Sequence, residues 1–334
     1  MIFYTLPGDE SVANPGRRLA LRRARELGPG QRDAWVTALR ALTRPRHPLS
    51  GPATPAPVFI VGCGRSGNTL LRRLLSASPE LHIPPESFVL KKVVWDFLRY
   101  PAASWPEQVH RAIAHFQAHP HFPEFGLELW AIEGALADLP PERRSLAGLL
   151  DAIYRIHAER HGKPGARWGD KTPINTFCLE EIRAVFPDAR FVEMLRDGAD
   201  AAASLVAAGL QPDLRAAGQR WLDARRAVAR YRVSGGQVLT VRYEDLVRTP
   251  EAVLAQVCDH VAISYCPEAI AETGHVAAMG DVPALPHHAN VASPITAASI
   301  GRGRAQMSAL QRAQLAPLLD NELVRAGYAT LFPS

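Results

Sequence analysis

The sequence predicts a three-layer α/β fold with a mostly parallel central sheet flanked by helices. One repeated pattern carries that expectation: a short apolar run, then a turn, then a helical stretch. The runs are Val58-Phe59-Ile60-Val61, Arg190 to Leu195 and Val238-Leu239-Thr240-Val241. Parallel strands need crossover connections, and a helix after each strand supplies them. With 334 residues, of which 47% are hydrophobic and 21% charged, the chain holds enough apolar material for a full core.

Before the first strand, Asn14 to Thr43 reads as two short helices broken at Gly28-Pro29-Gly30, an N-terminal helical appendage over residues 1–45. Residues 46–57 are dense in proline and glycine and read as a linker. The core then runs over residues 58–334. Between its first two strand runs, Ser87 to Tyr100, Trp105 to His119 and Arg144 to Glu159 have helical patterning. They form an insertion near residues 86–160 suited to walling an acceptor cavity. Towards the C-terminus, an irregular stretch with Pro283, Pro286, His287 and His288 belongs to a lid loop near residues 278–304. The two histidines lack the partners of a metal site.

A formal charge of +5 rests almost wholly on arginine, because the only lysines are Lys91, Lys92, Lys163 and Lys171. Without interleaved aromatic residues this balance does not point to nucleic acid, and a cleft for a polyanionic small molecule explains it equally well. Cys63, Cys178, Cys258 and Cys266 form no CxxC pair and read as reduced thiols. The first ten residues lack the charge and apolar pattern of a leader, and no run approaches the roughly 18 apolar residues of a membrane span. A soluble cytoplasmic protein is the expectation, and a homo-oligomer stays open.

Residues Gly62 to Thr69 spell GCGRSGNT, the spacing of a Walker A loop with Asn68 where the lysine stands. Glycines let successive backbone N–H groups turn around an anion, and the N-terminus of the following helix adds its dipole. A kinase or ATPase uses the missing lysine on the β and γ phosphates, so Asn68 counts against phosphoryl transfer from ATP. Arg65 offers a cation nearby and Thr69 a hydroxyl. The residues alone leave open a P-loop kinase using ATP and a catalytically inactive nucleotide-binding or interaction protein.

Two stretches together resemble a known family. PVFIVGCGRSGNTLLRRLL, from Pro57 to Leu75, looks like the loop of P-loop sulfotransferases, enzymes that use 3′-phosphoadenosine-5′-phosphosulfate (PAPS). RDGADAAASL, from Arg196 to Leu205, is similar to their 3′-phosphate segment. The resemblance implies that Gly64, Arg65, Ser66, Gly67, Asn68 and Thr69 hold the 5′-phosphosulfate end, and that Arg196 and Ser204 hold the 3′-phosphate. WGDKTP, from Trp168 to Pro173, is similar to an element of the protein-tyrosine and bacterial branches that places a lysine, here Lys171, beside the sulfuryl group. HIPPESFV, from His82 to Val89, resembles the segment carrying their catalytic glutamate, which maps onto Glu86. His82 is a rival base because imidazole titrates near neutrality. Tyr243-Glu244-Asp245-Leu246 matches a common feature of the fold. A weaker match over Ser299 to Arg304 implies nucleotide contacts from Arg302 and Arg304, with Gly303 where many relatives carry tryptophan.

The implied reaction is sulfuryl transfer from PAPS to the hydroxyl of a small-molecule acceptor, releasing 3′,5′-adenosine bisphosphate. It needs a cation where charge grows on the leaving oxygen and a base at the incoming hydroxyl, and it needs no metal. Lys171 fits the first role and Glu86 the second. Phe88, Val89, Val93, Trp95, Phe97, Phe116, Phe122, Phe125 and Trp130 offer apolar surface for the acceptor, although such residues are more often ordinary core.

Overall fold

The computed structural model describes residues 46–51, 55–271, 279 and 293–332. The N-terminal appendage and most of the lid loop, with His287 and His288, lie outside the described residues. The sheet has five strands in the order β2-β3-β1-β4-β5, every pair parallel. They are β1 (Val58–Gly62), β2 (Leu81–His82), β3 (Arg167–Lys171), β4 (Arg190–Leu195) and β5 (Leu239–Arg242). The helices are α1 (Asn68–Ser76), α2 (Leu90–Arg99), α3 (Trp105–Gln117), α4 (Glu133–Ala137), α5 (Leu146–Arg160), α6 (Leu179–Val185), α7 (Gly198–Ala207), α8 (Leu214–Val233), α9 (Tyr243–Arg248), α10 (Pro250–Val261), α11 (Arg302–Gln306) and α12 (Ala309–Arg325).

Strand alternation divides the interior into two layers around the sheet. Val58 and Ile60 of β1 join Val192, Met194 and Val241 in a core with Leu71, Leu74 and Leu75 of α1 and Leu254, Val257 and Val261 of α10. Phe59 and Val61 join Phe191 and Trp168 in a second core, closed by α2, α3, α5 and α6 and by Val228 and Tyr231 of α8. The helical insertion is therefore not a separate lobe: it covers one face of the sheet. A third cluster ties α7 and α8 to α12 through Trp221, Leu315, Leu319 and Leu323.

Two strands had no apolar run to announce them. β2 is two residues long, and β3 reads Arg-Trp-Gly-Asp-Lys. What makes β3 a strand is its position between β1 and β2, together with polar braces from α5. Trp168 stacks on Tyr154 at 4.2 Å between centroids, and its indole N–H donates to Asp151 at 3.0 Å. The Tyr154 hydroxyl donates to Asp170 at 2.5 Å. Trp168→Ala is expected to cost about 3–5 kcal/mol, since it removes a buried indole and leaves a cavity. Urea unfolding followed by far-ultraviolet circular dichroism measures it.

The stretch read as a linker is not a free spacer where it is described. Arg46 N–H donates to Pro101 O at 2.8 Å, Leu146 N–H to Pro48 O at 3.0 Å and Ala147 N–H to Leu49 O at 2.9 Å. Leu49 is buried in the insertion core. These bonds satisfy backbone groups and tie residues 46–51 to the start of α5.

Candidate active site

β1 ends at Gly62, and the chain turns through Cys63 to Gly67 into α1. Arg65 has φ +66° and Gly67 φ +97°. A Cβ at Gly67 would also lie 2.7 Å from the Tyr243 ring, so both backbone and packing require glycine there. A left-handed turn running into a helix N-terminus makes an anion nest. The Asn68 amide donates to Cys63 O at 2.9 Å and so braces the loop from the position where a Walker lysine would stand. Among the described residues, Ser66 Oγ and Asn68 Oδ1 are buried without a hydrogen-bond partner. Buried polar atoms left unpaired inside a backbone nest fit an anionic ligand that completes them.

The second cationic element comes from the end of β4. Arg196 donates to Arg65 O at 3.2 Å and Ser299 O at 2.6 Å, and its guanidinium lies 4.6 Å from the centre of the Tyr243 ring. Its Nε is buried without a partner among the described residues. Arg65 Nε in turn donates to Ser204 Oγ on α7 at 3.2 Å. Burial first, and then the neighbouring Arg196 charge, push the Arg65 guanidinium below its ordinary range. Two crowded guanidiniums and a hydroxyl are a fit for a multiply charged anion, whose binding relieves their repulsion.

Arg302 and Arg304 part company. Arg302 lines the cleft. Arg304 pairs with Asp197 at 2.8 Å and donates to Thr330 O at 2.6 Å and Ala329 O at 2.8 Å, and it does not line the cleft. Its contacts join α11 to the start of α7 and to the C-terminal segment. Between the two arginines, a Cβ on Gly303 would lie 2.8 Å from Ala203 Cβ and 2.9 Å from Asp200 Cα. Close approach of α11 to α7 leaves no room for a tryptophan side chain at this position.

Glu86 and Lys171 form an ion pair. Lys171 ends β3 and is fully buried, while the Glu86 side chain is 16% exposed and lines the cleft. Their approach is enforced by neighbours in the sequence: Ser87 N–H donates to Thr172 Oγ1 at 3.0 Å, binding the segment after β2 to the end of β3. Asp170, beside the lysine, accepts from Tyr154 and, at 2.8 Å, from the Asn175 amide, and burial pushes its carboxyl up. Phe88, two residues after Glu86, has φ +59°, a costly conformation for a bulky residue, and its ring stacks on His119 at 4.7 Å.

His82 is placed elsewhere. Its Nε2 lies 2.7 Å from His157 Nδ1, its ring faces His157 and His161, and it lines neither the cleft nor the chamber beside it. Burial first, and then the charge of His157, push its imidazole down to about 2. A ring that holds its proton so weakly and lies off the cleft is a poor general base.

The cleft has a volume of about 640 Å³ and collects Gly64, Arg65, Gly67, Asn68, Thr69, Glu86, Arg196, Ser204 and Arg302. A second chamber of about 500 Å³ shares Phe88, Ile174 and Arg220 with it and adds Lys91, Lys92, Trp95, Arg99 and Phe177, with one carboxylate, Asp96, that is paired with Arg111 at 2.7 Å. Arg220 lies 4.3 Å from the centre of the Phe177 ring. Sequence reasoning missed Arg220, since a single arginine on a long helix carries no local signal, and it gave Ser299 no role beyond membership of the matched segment Ser299 to Arg304. Tyr243 was visible only as part of a fold feature, and its place against Arg196 and Gly67 comes from packing.

Fold and site together define an α/β protein with a phosphate-type loop opening into a cation-lined cleft. The description "Sulfotransferase family" matches residues 57–267, more than half of the chain, and the protein belongs to that family. A putative protein-tyrosine sulfotransferase of Caenorhabditis briggsae is 22% identical over 215 residues, 62% of this chain and 66% of that protein. The Drosophila melanogaster protein-tyrosine sulfotransferase is 24% identical over 202 residues, 58% of this chain and 35% of that one. This chain thus spans under two thirds of the length of these relatives. Among solved structures, the sulfotransferase domain from the curacin biosynthetic pathway superposes with a TM-score of 0.56 at 22% identity, covering 83% of this chain and 99% of that domain. That likeness supports the parallel α/β fold. Among the described residues, no helix is long and apolar enough to cross a membrane.

Proposed function

We propose that the protein transfers a sulfuryl group from PAPS to the hydroxyl of a small-molecule acceptor and releases 3′,5′-adenosine bisphosphate. The observation that carries this reading is the ion pair that Glu86, on the cleft wall, makes with Lys171, buried directly behind it, at a cleft that also holds the loop, Arg196 and Ser204. In the proposal the loop over Gly64 to Thr69 holds the 5′-phosphosulfate end, and Arg196, Ser204 and Arg65 hold the 3′-phosphate. The acceptor hydroxyl gives its proton to the Glu86 carboxylate as its oxygen bonds to sulfur. The bond from sulfur to the bridging oxygen breaks, that oxygen keeps the electron pair, and Lys171 stabilises the charge growing there. Family membership sets the kinase reading aside. The aromatic and basic lining of the second chamber suits a planar acceptor bearing an acidic group.

Isothermal titration calorimetry with 3′,5′-adenosine bisphosphate tests the donor site. Micromolar binding is expected, with ATP and magnesium binding far more weakly. Arg196→Ala is expected to weaken the bisphosphate by about 10–100-fold, the value of a charge-assisted bond to phosphate, and Ser204→Ala by about 3–10-fold. No bisphosphate binding, or a preference for ATP, would overturn the donor assignment. A peptide tyrosine is a second acceptor reading, favoured by the names of the two relatives. Radiolabelled transfer from PAPS to a phenol panel run beside tyrosine peptides separates the two.

A further inference from the structure

Away from the cleft, three histidines meet where β2 packs against the end of α5. One ring nitrogen of each of His82, His157 and His161 lies within 4.8 Å of the others. His157 and His161 sit one helical turn apart, their rings parallel to within 3° at 4.1 Å. The hydrogen bonds settle which nitrogens carry protons. His157 Nε2 faces Phe125 O at 2.6 Å and His161 Nδ1 faces His157 O at 2.8 Å, and a carbonyl can only accept. Both rings therefore donate to the backbone and, when neutral, turn their other nitrogen's lone pair outward. Tethering the far nitrogen in this way is how metal-ligating imidazoles are oriented.

We propose that His82 Nε2, His157 Nδ1 and His161 Nε2 form a binding site for a late divalent transition metal, of the zinc, cobalt or nickel class, with its fourth position open to water. Three neutral imidazoles are the donor set such ions take. His161 lies at the surface, which gives the ion a path in. At present His82 Nε2 lies 2.7 Å from His157 Nδ1, so the His82 ring carries its proton at Nε2 and donates it. Ligation needs the other His82 tautomer, with that proton on Nδ1, and a turn of the surface-lying His161 ring out of its stack on His157, because the in-plane lone pairs of two parallel rings cannot meet on one ion. The strand itself is held still: Lys163 donates to Leu81 O at 3.0 Å and Arg72 to Ile83 O at 2.9 Å, bracketing His82. Lys163, Arg72 and Arg160 are the cations that act on the cluster, and the first two are engaged by backbone carbonyls. The site belongs to the scaffold rather than to the reacting groups. It would pin the two-residue edge strand β2 to α5, four residues before Glu86.

The full chain, stripped with a chelator, is titrated with Co²⁺ and with Zn²⁺. The expected results are one ion per chain, a visible cobalt spectrum of tetrahedral intensity, and a higher melting temperature with zinc. His161→Ala, a surface change expected to preserve the circular dichroism spectrum, should weaken Co²⁺ binding by about 10–100-fold or more. His110→Ala, at an exposed histidine paired with Glu133, should leave it unchanged. Absence of a cobalt spectrum in the unmodified chain, or equal affinity in the folded His161→Ala variant, would overturn the proposal.

Discussion

Lys171→Ala is expected to lower kcat by about 10³-fold while leaving the affinity for 3′,5′-adenosine bisphosphate within about threefold. The magnitude is that of removing one preorganised electrostatic contact from a transition state in which charge grows on a single oxygen. The split between kcat and binding follows from placement. Lys171 is fully buried at the end of β3 and paired with Glu86, whereas the donor phosphates are assigned to the loop, Arg196 and Ser204. Single-turnover transfer of labelled sulfate, beside calorimetry with the bisphosphate, measures both quantities in one preparation. A variant that loses bisphosphate affinity as severely as kcat would place the lysine on the phosphates. A variant of unchanged kcat would remove it from the reaction. Because the substitution strips a partner from Glu86, a thermal melt is run alongside, and Lys171→Met, of similar length, separates lost charge from a cavity.

Glu86→Gln is expected to lower kcat by about 10²–10⁴-fold, the usual worth of a positioned general base. The amide is nearly isosteric and still accepts a hydrogen bond from Lys171, so a loss of that size reports the missing proton acceptor. Its pH dependence gives the sharper reading. A carboxylate base works only when ionised, so the unmodified enzyme should lose kcat on the acid side of its pH profile. The glutamine variant should lack that acid limb while keeping any alkaline one. Persistence of the limb in Glu86→Gln would assign the base elsewhere. Since the two side chains touch, the losses in Lys171→Ala and Glu86→Gln should fall well short of additive in the double variant.

Much of the proposed donor site was legible because it is local. A loop of eight residues between a strand and a helix, with glycines where the backbone must turn left-handed, announces an anion nest by spacing alone. Arg196 and Ser204 lie on one strand end and the helix that follows, so a short stretch of chain contains both. Glu86 and Lys171 were legible only singly, through resemblance. Their contact depends on β3 lying between β1 and β2, and β3 has no apolar run because Asp170 and Lys171 occupy positions where a buried strand ordinarily places valine or isoleucine. The same short-range evidence overreached at His82, which was named a rival base on the general chemistry of imidazole, and at Arg304, whose partners Asp197, Ala329 and Thr330 are distant in sequence.

The fold class, the phosphate-type loop and helices α1, α2, α3, α5 and α7 could be read from the sequence, because each is written in the periodicity and turn chemistry of a short window, whereas α8 and α12 were not read at all. Tertiary packing alone decided that residues 46–51 dock onto the insertion. It also decided that Gly303 has no room for a side chain, that His82 meets two histidines of α5, and that Glu86 closes on Lys171. The reason is physical. A helix or a glycine turn is stabilised by neighbours a few residues away, whereas a buried charge is defined by the partner that pays for its desolvation, and that partner can come from any part of the chain.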